Sequence, residues 1–164
     1  MARSGETDGL QPTDEGNTPA PTFARLISHS QLSFDAKNRL VLPAIHRPRY
    51  KAGVVCAPHR DHLAIHEPAE WDLLKSDLND ACRDGRIDIE VFDWLTARSV
   101  EALPDNAGRI LIPRSLRAEV GLLDDDVIVA GHGKYLGVHR GDYISAADPG
   151  LRDAATAALR SLGL

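Results

Sequence analysis

Asp105-Asn106-Ala107-Gly108-Arg109-Ile110-Leu111-Ile112-Pro113 decides the fold, because the chain has already written it once. Seventy residues earlier stands Asp35-Ala36-Lys37-Asn38-Arg39-Leu40-Val41-Leu42-Pro43. Each copy runs acid, three-residue turn, arginine, three aliphatics and proline, and Arg47 and Arg117 follow at matching positions. Further on the match resumes at a spacing of 73: Val54, Ala57, His59, Leu63 and His66 correspond to Val127, Ala130, His132, Leu136 and His139, with Ile65 against Val138. Two runs in the same order point to an internal duplication. The three extra residues fall near Asp124-Asp125-Asp126, where a surface loop absorbs them.

Each copy predicts the same local structure. Leu26 to Phe34 reads as a strand, and Asp35 opens a tight turn in which its carboxylate accepts amides two residues on. Asn38 and Gly108 share a position, and these residue types best tolerate positive φ, so the turn calls for a left-handed residue there. Arg39 to Leu42 closes a hairpin. Pro43 suits the start of a short helix that Pro48 ends early. Val54-Val55-Cys56 and Leu63 to His66 make a second hairpin. In the second copy Val100 to Leu103 and Arg109 to Ile112 flank the turn. Pro113 opens a helix capped by Gly121, and Val127 to Ala130 pairs with Leu136 to His139.

Between the copies, Glu67-Pro68 starts a helix with Trp71, Leu74 and Leu78 on one stripe, fading at Asp84-Gly85. Ile87 to Leu95 is read as a second helix. Gly141 to Ala147 should match the start of the helix after the first copy, and Leu151 to Leu162 is an Ala-rich terminal helix. The expected organisation is therefore a disordered acidic tail (1–22), repeat one (25–71), a connecting helical segment (72–96), repeat two (97–145) and a C-terminal helix (146–164). A single repeat is too small to bury its own apolar face, so the two should interlock in one β-rich α+β core.

The chain has 164 residues, 43% of them hydrophobic and 26% charged, as in ordinary globular proteins. No apolar run suits a membrane span, and the N-terminus lacks a signal-peptide core. Cys56 and Cys82 have neither metal-ligand nor disulfide-scaffold spacing, so reduced thiols and a cytoplasmic location are expected. No nucleophile and base stand in a recognisable arrangement, and no glycine-rich phosphate loop occurs. The reading is not an enzyme, with no cofactor and no small-molecule substrate. The formal net charge of −5 argues against nucleic acid on its face. Its distribution relaxes that objection: residues 1–22 carry one Arg against four acids, whereas residues 23–71 carry seven Lys/Arg against four. Repeat one is a basic segment of an acidic molecule, which permits a phosphate partner.

Two copies of Asp-x-x-x-Arg, three aliphatics and Pro-x-x-x-Arg resemble the MraZ family of bacterial transcriptional regulators, within the AbrB-like, swapped-hairpin group. The resemblance covers about residues 26–145. It implies two AbrB-like repeats in one pseudo-symmetric swapped-hairpin barrel with flanking helices, protomers assembled into a ring, and loops that contact double-stranded DNA. The family's targets are short G-rich direct repeats upstream of its own operon in the cell-division and cell-wall cluster, where it acts mainly as a repressor. Residue by residue, this implicates Asp35, Lys37, Asn38 and Arg39 in the first loop and Asp105 and Arg109 in the second. Arg47, with Arg49 and Lys51, is a candidate for phosphate contact. The first loop, with Lys37 beside Arg39, is the preferred reader. Asn38 stands where the family has Gly, and Ala107 replaces a polar residue.

Three further features take other readings. His59, His62 and His66 invite a metal, but two of them recur as His132 and His139, so a role in the fold is expected and no metal. Asp124-Asp125-Asp126 reads as a solvated turn. The alternative to a DNA-binding repressor is an oligomeric interaction module, antitoxin-like, on the same fold.

Overall fold

The computed structural model describes residues 29–143 and 149–163. The acidic tail, the start of the first predicted strand (26–28) and most of the segment 141–147 lie outside the described residues. The remaining elements follow the predicted order. They are strands β1 (His29–Ser33), β2 (Arg39–Val41), β3 (Val54–Pro58) and β4 (Leu63–His66), helices α1 (Pro68–Arg83) and α2 (Ile89–Arg98), strands β5 (Val100–Ala102) and β6 (Arg109–Leu111), helix α3 (Arg114–Glu119), strands β7 (Asp126–Gly131) and β8 (Leu136–Arg140), and helix α4 (Pro149–Ser161). The helix expected after Pro43 is only a 3-10 turn, Arg47–Tyr50. Pro48 lies within it and restricts the chain to so short a piece.

The duplication is expressed as a pseudo-two-fold axis. Six strands form one antiparallel sheet in the order β1-β7-β8-β4-β3-β5. Exchanging the repeats maps β1 onto β5, β7 onto β3 and β8 onto β4, which reverses that order. The axis passes between Ala64 and Gly137, the middle pair of the β4·β8 ladder. The first strand of each repeat pairs with the second hairpin of the other: Ser30 lies opposite Val129 and Val100 opposite Cys56. Among the described residues the six-stranded sheet is open, and no closed barrel is seen. Among these residues β1 and β5 are the sheet's edges, and β2 and β6 pair with each other in a separate two-stranded ribbon. Pro43 and Pro113 cut that ribbon short, since proline offers no amide to extend a ladder.

The core lies between ribbon and sheet. Leu40 and Ile110, opposite each other at the ribbon's centre, are fully buried against Leu63, Ile65, Leu136, Val138 and Tyr50. Alternation along the strands assigns the other face. Val55 and Ala57 pack under Trp71 of α1, with Leu74 and Leu95 beside them. β3 and β4 are therefore buried on both faces. Asp88 caps α2 by accepting the Glu90 amide at 3.2 Å. Among the described residues, no helix is long and apolar enough to cross a membrane.

Candidate functional site

The two Asp-x-x-x-Arg loops share one construction. Asp35 Oδ1 accepts the amides of Lys37 (2.8 Å) and Arg39 (2.9 Å), and its Oδ2 accepts Arg39 Nε at 2.7 Å. Asp105 Oδ1 accepts the amides of Ala107 and Arg109, both at 2.9 Å, and its Oδ2 accepts Arg109 Nε at 2.6 Å. An aspartate at the turn's first position thus fixes the backbone and one edge of the guanidinium. In each loop the arginine's amide is the main influence holding the carboxyl below the usual carboxylate range, followed by the guanidinium and the middle amide. The left-handed position also appears as the sequence predicts, with φ of +58° at Asn38 and +76° at Gly108.

Each loop is braced by the opposite repeat. The carbonyl of Asn38 accepts the Ile112 amide at 3.0 Å, and that of Gly108 accepts the Leu42 amide at 2.8 Å. Arg117, 2% exposed, donates to Asn38 Oδ1 (3.3 Å), Leu122 O (3.2 Å), Asp124 O (2.8 Å) and Asp125 Oδ1 (3.1 Å). Its guanidinium lies 3.9 Å over the Phe34 ring. Arg47, its counterpart, lies against Gly108: a Cβ built there would stand 2.7 Å from Arg47 Cδ. Arg47 Nε donates to Leu42 O at 2.9 Å. The glycine in the second loop and the asparagine in the first are thus matched to how closely their bracing arginines approach.

These interactions sort the sequence candidates. Arg39 pairs with Leu111 and Arg109 with Val41 across the ribbon, so all four side chains share its outward face while Leu40 and Ile110 point inward. The two arginines occupy a diagonal, about 7–8 Å between Cα atoms. Their side chains are 28% and 38% exposed. With Nε on the aspartate, each guanidinium keeps further N–H donors of the kind that pair with a guanine edge or a phosphate. Lys37 is exposed beside them. Asn38 and Arg47 are engaged with Arg117 and Gly108, and Arg49 is ion-paired with Glu67. The sequence anticipated the loops but not their bracing, which joins residues 79 positions apart.

A second concentration of polar groups lies on the far face of the sheet. The two second hairpins bring His59, His62 and His66 together with His132, Tyr135 and His139 across the pseudo-axis. His62 and Tyr135 are equivalent by the 73-residue offset, and His62 Nε2 lies 3.3 Å from the Tyr135 hydroxyl. Burial drives His66 and His139 down to about 4, with neighbouring imidazoles adding to the effect. Sequence reasoning considered one hairpin at a time and so missed the convergence.

No family model matches the chain. Among curated proteins it is similar to proteins named transcriptional regulator MraZ. The chain is 34% identical to that of Chromobacterium violaceum over 110 residues, covering 63% of this chain and 73% of the relative. It is 33% identical to that of Neisseria gonorrhoeae over 113 residues (65% and 74%) and 25% identical to that of Photorhabdus laumondii over 112 residues (65% and 74%).

Proposed function

The chain belongs to the MraZ family of transcriptional regulators, and on that premise we propose that it is a DNA-binding repressor reading double-stranded DNA with Arg39 and Arg109. One observation carries this reading: both arginines stand on the same outward face of the β2·β6 ribbon, each clamped by its own aspartate. Their diagonal of about 7–8 Å spans about two base steps of 3.4 Å. The clamp keeps the guanidinium ordered before binding, which lowers the entropic cost of engaging DNA. Lys37 adds a phosphate contact beside the first loop. Asn38 and Arg47, through Arg117 and Gly108, act by holding the loops in position.

The proposal extends to assembly and target. One ribbon offers few charges, so affinity is gained when several protomers in a ring engage successive promoter repeats. The targets proposed are short direct repeats upstream of the protein's own gene, in a cell-division and cell-wall cluster. The place of action is the cytoplasm, at the nucleoid. The exposed Val41 and Leu111 between the arginines favour a second reading, in which this face docks a protein. A gel-shift with the gene's own upstream region at several salt concentrations separates the two. Retardation that weakens with salt and is lost in Arg39→Ala supports the repressor; no retardation at low salt overturns it.

A further inference from the structure

We propose that the histidine cluster on the sheet's far face is a binding site for a divalent transition-metal ion that prefers imidazole, with His62, His132 and His139 as ligands. One ring nitrogen from each of these residues lies within 4.8 Å of the other two. His132 and His139 meet through their Nε2 atoms at 2.8 Å. Of two neutral imidazoles at that distance one carries its proton on Nε2, and moving that proton to the same ring's Nδ1 leaves both Nε2 lone pairs free to bond a metal ion. Tetrahedral coordination at about 2.0–2.1 Å sets neighbouring nitrogens about 3.3 Å apart. The set therefore needs one pair to open slightly and His62 to close, and His132 is the exposed member of the three.

Three independent features fit this use. First, His62 Nδ1 lies 3.0 Å from Asp61 Oδ1. A carboxylate behind an imidazole fixes the tautomer and turns the opposite nitrogen, Nε2, towards the cluster, as it does behind ligating histidines generally. Second, the ligand pair sits over Gly137, where a Cβ would fall on His139 Nε2 and 2.7 Å from His132 Nε2. Repeat one has Ala64 at the equivalent position, so the space exists on one side of the pseudo-axis only. Third, a cleft of about 210 Å³ opens beside the cluster between the hairpins and α1, lined by His59, His66, Glu70, Asp77, His132 and Tyr135. His66 Nε2, buried at its edge, has no hydrogen-bond partner. Nitrogen donors of this kind select zinc, nickel or copper over magnesium or calcium.

The test uses the full chain without a histidine tag, stripped with chelator and titrated calorimetrically with Zn²⁺, with Co²⁺ absorption as a report on geometry. One saturable site per chain is expected, with cobalt bands of tetrahedral type. His132→Ala should weaken zinc binding at least tenfold, as tested against the unchanged circular dichroism of this exposed position. Asp61→Asn, also exposed, should weaken it about ten- to a hundredfold. His29→Ala, on the sheet edge, should bind as the parent does. Absence of saturable binding overturns the proposal, as does zinc binding that His132→Ala and Asp61→Asn leave unaltered.

Discussion

Replacing Asp35 by Asn tests whether the aspartate clamp serves recognition or merely the turn. The asparagine Oδ1 can still accept the Lys37 and Arg39 amides, so the loop backbone is kept, but its Nδ2 cannot accept Arg39 Nε. Two effects on DNA affinity then oppose each other. Removing the exposed Asp35 charge lessens repulsion of the phosphates, a gain that salt screens over a Debye length of about 8 Å. Releasing the Arg39 side chain costs about 1 kcal/mol when it must be ordered again on binding. The loss wins at physiological salt, an affinity about three- to fourfold lower. Because salt screens the gain but not the loss, the deficit should widen as salt rises. Fluorescence anisotropy with labelled upstream DNA across a salt series measures this, with Asp105→Asn as the parallel case. Tighter binding of Asp35→Asn than of the parent at every salt concentration would refute the reasoning and reduce the clamp to a feature of folding.

Further expectations concern the frame. Arg117→Ala strips Asn38, Leu122, Asp124 and Asp125 of a buried donor and should lower stability by about 3 kcal/mol in urea unfolding. Gly108→Ala should cost about 2 kcal/mol, combining a left-handed alanine with displacement of Arg47. Gly121→Ala, also left-handed but in open space, should cost only about 1 kcal/mol; equal costs would remove Arg47 from the account. His66 is neutral in the fold down to about pH 4, whereas an unfolded histidine takes up its proton near 6.5. Its contribution is therefore present above 6.5 and lost as pH falls to 4, at most roughly 3.5 kcal/mol at about 1.4 kcal/mol per unit. Unfolding at pH 7.5 and 4.5 should show that fall in the parent and a flatter profile in His66→Gln.

Much of the fold was legible because the sequence states it locally, and twice. Asn38 and Gly108 in register announced the left-handed turn residue, and the aspartate before each announced the amide-accepting carboxylate. The stripe on α1 marked the helix face that packs on the sheet through Trp71 and Leu74. Partners remote in sequence were not legible. Nothing in Ser30 or Val100 says that each will pair with the other repeat's hairpin, and nothing in Arg117 points to Asn38. The same limit hid the histidines: His62 belongs with His132 and His139 only once the pseudo-axis folds one hairpin beside the other. The separation of the β2·β6 ribbon from the six-stranded sheet was likewise not legible, because it rests on pairing between strands remote in sequence.

The central claim is that Arg39 and Arg109 form one DNA-reading face, and the salt dependence of binding to the upstream region tests it most directly. The parent's affinity should fall linearly on logarithmic axes. The Arg39→Ala, Arg109→Ala double variant, with unchanged circular dichroism, should bind weakly and with a slope shallower by about 0.9 for each phosphate that an engaged protomer no longer neutralises. A double variant that keeps the parent's affinity and slope would contradict the account.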